Sequence, residues 1–290
     1  FGWPAPMGPL AKYAVQYLFV QSEFGLMCPV SATDTSAYLV KKYAADDIRE
    51  RYLPHMLADK YDNMITGAQF MTEQSGGSDV GNIEVEAKLE DGIWRIYGDK
   101  WFCSTTDGGL IMILARPQGA EWGSRGLSLF AVPRTMEDGS RNAYKIMRLK
   151  SKLGSRSMAS GEVSFHGAEA YLLGEENKGL KHMLDMVNLS RLSHGVRASA
   201  MMRRCLNETL IVARNRYTFG EKLINHPLMR RQIMKTMLPT EQALSSFMFT
   251  AAIMEKADAG DETATRALRI ITPMIKGRIC RDNVKVATAA

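Results

Sequence analysis

A loop rich in glycine and hydroxyl side chains is the first segment of this sequence that is suited to holding a ligand. It follows the predicted strand ITGAQF and reads MTEQSGGSDV over residues 71–80. Gly77 lets a backbone approach a flat or anionic ligand closely, and Thr72 and Ser78 offer hydroxyl donors. Because Gly/Ser loops are common, the pattern taken alone leaves an ordinary capped hairpin loop as the alternative.

A second candidate is the end of a predicted strand that begins at Trp94 and closes with WFCST at 101–105. Alternation along a strand places Trp101 and Cys103 on one face and Phe102 and Ser104 on the other. An aromatic ring beside a hydroxyl group is suited to stacking on a ring and donating to a heteroatom. A cross-strand aromatic pair in the core is the alternative interpretation.

A third candidate is the stretch RYTFG at 216–220, where a long helix is predicted to end with Gly220 as its C-cap. Arg216 together with Thr218 could hold a phosphate, because a guanidinium group matches phosphate oxygens. The alternative is a basic last turn that complements the helix dipole.

Several classes of protein are excluded or left open by composition and spacing. A hydrophobic content of 46% and a charged content of 23% argue against disorder. No apolar run approaches the roughly 18–20 residues that cross a bilayer, so no membrane role is expected. The four cysteines lack metal spacing and favour a reducing, cytoplasmic compartment, and the histidines show no metal spacing either. DNA binding stays open because the net charge is +6 and two stretches are basic, residues 145–156 and 276–285. The usual explanation of such a basic stretch is a solvent-exposed strand or helix face.

Three zones of different periodicity must position these candidates. Residues 1–66 read as helical, residues 67–173 read as a β domain of hairpins, and residues 174–290 return to long helices. The predicted fold class is therefore a multidomain α+β protein: an N-terminal helical region, a central β domain and an incomplete C-terminal antiparallel helical bundle. In the first zone, Pro29 is expected to interrupt a helix. Both ends look cut, and the first residues show no initiator Met and no signal peptide.

The three candidates occur in an order and spacing that resemble the acyl-CoA dehydrogenase family. The resemblance covers nearly the whole chain and rests on TGAQFMTEQSGGSDV, GDKWFCST, KLGSRSM, GEENKGLKHML and RNRYTFGEKLINHPLMRRQI. FMTEQSGGSDV with KWFCS is most similar to the alkylation-response (AidB-like) branch. The resemblance implies a barrel-like central domain, FAD bound between that domain and the helical bundle, and assembly as a homotetramer.

The resemblance also assigns site residues. Met71 and Thr72 would meet the flavin, with Gly77 and Ser78 nearby, and Ser78 would also contact the acyl-CoA substrate. Phe102 and Ser104 would line the other edge of the flavin. The motif that reaches the FAD of a neighbouring subunit is matched by Arg216, Thr218 and Phe219.

The implied reaction is α,β-dehydrogenation of an acyl-CoA thioester, as in fatty acid metabolism. A carboxylate removes the α proton while a hydride passes from the β carbon to the flavin. An electron-accepting partner then reoxidises the reduced flavin. Ser190, which stands before Arg191, cannot be the base found there in some branches, so the base is expected beyond Ala290 and no catalytic residue is named. The alternative is an AidB-like flavoprotein that binds DNA in an alkylation response and has weak dehydrogenase activity.

Overall fold

The computed structural model describes residues 7–290; the first six residues, on which the expectation about a signal peptide rests, lie outside it. Two compact units make up the described chain. One is Cys28–Val187, and the other combines the described residues up to Met27 with Asn188–Ala290. None of the helices within residues 7–290 is long and apolar enough to span a membrane.

The first unit begins with two helices. Helix α2 spans Met27–Tyr43 and helix α3 spans Asp46–Met56. Pro29 does not interrupt a helix, as the sequence predicted, because it lies in the first turn of α2, where a backbone N–H has no intrahelical partner anyway. Asp46 and Asp47 occupy the first turn of α3, and that helix ends two residues after Pro54.

Seven strands follow the two helices. They are β1 Gly67–Phe70, β2 Glu86–Glu90, β3 Ile93–Ser104, β4 Leu110–Pro117, β5 Ser128–Pro133, β6 Tyr144–Leu149 and β7 Ser160–Leu172. Five of them form a closed ring in the order β3-β2-β4-β5-β7, which the β7–β3 pairing completes. The predicted barrel-like domain is confirmed. The pairings β1–β4 and β2–β4 are parallel, so the domain is more than the expected set of hairpins.

Strand β4 shows why its sequence, LIMILA, is continuously apolar. Ile111 and Ile113 belong to the barrel interior, together with Phe70, Phe130 and Phe165. The alternate residues of β4, such as Met112, pack in a second cluster with side chains of α2 and α3. Both faces of this strand are therefore buried, so every side chain of LIMILA has to be apolar and the sequence shows no alternation.

A β-bulge changes the face on which the end of β3 presents its side chains. On β3, Lys100 pairs with Val163 and Cys103 pairs with Gly161, so three steps on β3 oppose two on β7. The extra residue breaks the alternation, and Lys100 and Cys103 are both buried although they are three apart. The predicted grouping of Trp101 with Cys103 on one face is therefore wrong.

The second unit contains helix α1 Pro9–Val20, the greater part of α4 Gly179–Asn215, and helices α5 Pro227–Asp258 and α6 Glu262–Ala289. Its core brings together side chains of all four helices, including Tyr17, Val196, Phe247 and Ile279. Helix α6 begins as predicted, because the Asp261 side chain accepts hydrogen bonds from the first turn. The domain borders at residues 66 and 173 stay predictions.

Helix α4 ends at Asn215, five residues before the predicted cap. Gly220 instead lies in the turn of a two-stranded hairpin, β8 Tyr217–Thr218 and β9 Glu221–Lys222. Phe219 and Gly220 both have positive φ angles, of 53° and 80°. Two consecutive positive φ angles are the requirement of a tight type I′ hairpin turn, so Gly220 serves the turn and is not a helix cap.

Candidate functional site

A buried ion pair fixes the glycine-rich loop to the barrel. Lys100 Nζ lies 2.6 Å from Glu73 Oε1 and donates a second hydrogen bond to the carbonyl oxygen of Met71 at 3.1 Å. Glu73 also accepts from the backbone N–H of Glu84 at 2.6 Å and of Val85 at 3.3 Å. Burial lowers the pKa of Lys100, and the carboxylate of Glu73 opposes that change. The pair therefore sets the conformation of the loop and does not face a ligand.

The loop is also joined directly to the bulged end of β3. The backbone N–H of Trp101 donates to the carbonyl oxygen of Thr72 at 2.8 Å. A side chain at Gly77 would have its Cβ 3.0 Å from the Thr72 methyl group and 3.3 Å from its hydroxyl, so only glycine lets the loop close over Thr72. Ser78, one residue further on, is exposed.

An exposed aromatic surface lies at the bulge. Phe102 is 58% exposed, and its ring stands edge-on to Trp101 with 6.3 Å between centroids. Lys150 Nζ lies 3.6 Å from the Trp101 ring centroid and 4.5 Å from that of Phe102. Ser104, in the register position opposite Gln69 of β1, is half-buried. An uncovered aromatic ring on a rigid strand is the kind of surface on which a planar ligand stacks.

Arg116 fixes the far end of the same loop. Its guanidinium group donates to the carbonyl oxygens of Gly81 at 2.7 Å and of Gly123 at 3.0 Å, and stacks on the Trp122 ring at 4.5 Å. The Trp122 indole N–H donates to Asn82 at 3.0 Å. Both ends of the loop are therefore held by buried or stacked cations.

The second unit presents the hairpin that carries Arg216, Thr218 and Phe219. Arg216 is exposed, and its carbonyl oxygen accepts from the N–H of Leu223 at 2.8 Å. The hydroxyl and the carbonyl oxygen of Thr218 both lie 3.0 Å from His226 Nε2. Phe219 is 99% exposed at the tip of the turn. A fully exposed aromatic residue in a left-handed conformation marks a contact surface, because neither packing nor backbone preference explains it.

The structure groups the nine site residues predicted from the sequence in two places. Six belong to the unit that contains the barrel, and three belong to the hairpin of the other unit. The six are Met71, Thr72, Gly77, Ser78, Phe102 and Ser104. The sequence analysis did not identify Lys100 and Arg116. Lys100 could have been found, because it lies four residues after the buried Ile96 on the same strand, and residues separated by an even number share a face. Within residues 7–290, no group of three or more His, Cys, Asp or Glu side chains could hold a metal ion.

The barrel, the helices and the anchored loop define the class of protein. The description "Acyl-CoA dehydrogenase, middle domain" matches residues 68–168, and "Acyl-CoA dehydrogenase, C-terminal domain" matches residues 177–290. The chain belongs to the acyl-CoA dehydrogenase family.

Individual relatives agree with this assignment. AidB of Escherichia coli strain K12 is 36% identical over 97% of this chain and 52% of its own length. The solved structure of Caenorhabditis elegans ACDH-11 in complex with C11-CoA has a TM-score of 0.93 and 26% identity, over 99% of this chain and 51% of that one. The apo form of Bd2924 has a TM-score of 0.93 and 30% identity, over 97% of this chain and 57% of that one. The chain spans about half the length of the curated relatives it matches, 45–52% for the first three.

Proposed function

We propose that this chain is the flavin-binding part of an FAD-dependent oxidoreductase that dehydrogenates an acyl-CoA thioester between Cα and Cβ. The observation that carries the proposal is the loop of residues 71–80, locked by the Glu73–Lys100 pair beside an uncovered aromatic strand end. FAD supplies a hydride acceptor when it is bound. The protein supplies alignment, which a rigid loop and a barrel strand provide better than mobile segments.

The residues present fit a flavin. Phe102 exposes a ring face or edge for stacking, and the Thr72 and Ser104 hydroxyl groups can donate to the heteroatoms of a ring system. The glycines keep the backbone of the loop uncovered: a Cβ at Gly76 would meet no atom within 4 Å. We assign Met71, Thr72, Gly77, Ser78, Phe102 and Ser104 to flavin binding.

The hairpin of the second unit is assigned to the FAD of a neighbouring subunit. Arg216 would bind the pyrophosphate, and Thr218 and Phe219 would contact the cofactor from the exposed turn. A cofactor that needs residues from two chains makes assembly a condition for activity. A homotetramer is therefore part of the proposal.

The substrate is assigned as an acyl-CoA thioester. The complex of ACDH-11 with C11-CoA supports this class, and the exposed Ser78 is the residue proposed to contact it. Donors aimed at the thioester carbonyl would lower the pKa of the α proton. The structure gives no reason to make Ser190 the base, because its hydroxyl and carbonyl oxygens face His194 on the same helix. No base is assigned within residues 7–290. A role in fatty acid metabolism, an electron-accepting partner and a cytoplasmic location complete the proposal.

The experiment is to purify the full protein, record its flavin absorbance before and after adding FAD, and then add acyl-CoA thioesters without oxygen. Bleaching of the flavin absorbance by an acyl-CoA, together with an enoyl-CoA product, is expected. Thr72→Val should weaken FAD binding, whereas Ser75→Ala removes a hydroxyl from the same loop at an unassigned position and should not. Absence of flavin after FAD addition would refute the proposal.

DNA binding stays a second prediction, and the structure gives it little support. In the stretch 145–156, Arg148 and Lys150 both pair with Glu162, at 2.7 and 2.8 Å. In the stretch 276–285, Arg278 pairs with Asp282 at 2.5 Å. Part of the basic charge is thus already compensated. Binding to duplex DNA that weakens steeply with salt would support this alternative, and no affinity at low salt would remove it.

A further inference from the structure

Strand β6 is an open edge of the barrel sheet. It stands last in the strand order, and β7 is the one strand within residues 7–290 with which it pairs. Every residue from Lys145 to Leu149 is exposed. In an antiparallel pair, alternate N–H and C=O groups of the outer strand point away from its neighbour. The far side of β6 therefore presents backbone donors and acceptors that another strand could bond.

Apolar side chains are exposed on β6 and in the loop that follows it. Ile146, Met147 and Leu149 are 43%, 62% and 61% exposed, and Leu153 is fully exposed. Ile146 lies directly opposite Val163, which is buried in the barrel interior, so both side chains are on the inner face of the sheet. The inner face is thus uncovered at β6. Single exposed apolar residues are ordinary, whereas a group of four along one sheet edge marks a contact surface.

The charge around this edge has one sign. Residues 145–156 contain five basic side chains and no acidic one. Glu162 on β7 compensates part of this charge, because it pairs with Arg148 at 2.7 Å and with Lys150 at 2.8 Å. The three basic side chains that form no ion pair within the described chain are Lys145, Lys152 and Arg156. The edge therefore attracts an acidic partner.

Two other occupants fit this surface less well. A second copy of the chain, paired through its own β6, would place like charges opposite each other, which is destabilising. The bulge at Met147, where two steps on β6 oppose one on β7, also interrupts the regular edge that such pairing needs. Duplex DNA would use the cations through its phosphates but would gain nothing from the exposed aliphatic side chains.

We propose that the open edge of β6 binds an extended acidic segment of another protein, which joins the sheet as an added strand. Main-chain hydrogen bonds to β6 provide affinity, and the side chains at alternate positions provide specificity. Apolar side chains of the segment cover Ile146 and Leu149 on the inner face, and its carboxylates meet Lys145 and the cations of the following loop. The proposal does not depend on flavin binding, and its test measures binding and not activity.

The probe is a fluorescein-labelled peptide of alternating Val and Glu, as long as β6, titrated into the full protein and followed by fluorescence anisotropy. Two analogues carry the same charge, one N-methylated at every Val and the other at every Glu. Because alternate amides of a strand point to opposite sides, one analogue loses its hydrogen bonds to β6 and the other keeps them. We expect one analogue to bind about tenfold more weakly than the parent peptide and the other to bind like it.

Lys145→Glu tests the charge, and Lys60→Glu, an exposed lysine of the same unit, is its control. Both side chains are exposed, so both variants should fold. We expect Lys145→Glu to weaken peptide binding and Lys60→Glu to leave it unchanged. The proposal is overturned by an absence of peptide binding at low salt, by equal binding of the two N-methylated analogues, or by equal affinity of the two lysine variants. Binding of duplex DNA without binding of the acidic peptide also overturns it.

Discussion

The buried pair Glu73–Lys100 gives the sharpest prediction about the loop of residues 71–80. Lys100→Met removes the ion pair at 2.6 Å and the hydrogen bond to the Met71 carbonyl at 3.1 Å. Glu73 would keep its two backbone donors, from Glu84 and Val85. Because these donors still stabilise the carboxylate, the loss of unfolding free energy should stay near the lower limit for breaking a buried pair, about 3 kcal/mol.

The reciprocal change should cost more. In Glu73→Gln, the Lys100 ammonium group stays buried without a carboxylate to balance its charge. It keeps its hydrogen bond to the carbonyl oxygen of Met71. The substitution also weakens the two backbone hydrogen bonds to the carboxylate. The expected loss is therefore near the upper limit, about 5 kcal/mol. The double variant should lose less than the sum of the two single variants, with a coupling of about 2 kcal/mol, because the second change removes the charge that the first left unpaired.

The assay is denaturant unfolding of the four proteins, with FAD affinity measured in parallel. Lys88→Met provides the control, because Lys88 meets Glu86 at 3.6 Å at the surface of the same barrel and should lose about 0.5 kcal/mol or less. FAD affinity should fall in both single variants, since the loop loses its anchor. Additive single losses, or a loss in Lys100→Met no larger than in Lys88→Met, would refute the anchoring argument.

Three further outcomes are expected. Burial raises the pKa of the Cys103 thiol to about 12, so thiol reagents followed by peptide mapping should label Cys103 only after unfolding. Phe219→Asn should stabilise the turn by about 1 kcal/mol, because Asn tolerates a positive φ angle, while it weakens FAD binding; a variant that keeps full FAD affinity would deny Phe219 a cofactor role. Arg216→Ala should lower FAD affinity and loosen the oligomer together, as seen by spectroscopy and by sedimentation, and unchanged FAD affinity would reject the role of Arg216 in binding the pyrophosphate.

The sequence predicted elements whose signal is local. Period-two alternation and continuous apolar runs located the long strands, and the Asp261 cap located the start of α6. The ends of elements carry a weaker local signal. The sequence predicts a helix cap at Gly220, but this residue closes a hairpin turn, because a glycine with a positive φ angle serves either structure. A proline in a first helical turn and a proline that breaks a helix also look alike in sequence, as Pro29 shows.

By itself, the sequence determined the α–β–α order, the barrel-forming strands and the motifs that carry the family resemblance, since periodicity and turn chemistry depend on neighbouring residues. Only the tertiary structure decided which of these residues meet. The bulge that brings both Lys100 and Cys103 inside depends on the register between β3 and β7, which are distant in the chain. The ion pair of Lys100 with Glu73 likewise depends on burial, which arises only when separate elements pack and exclude water.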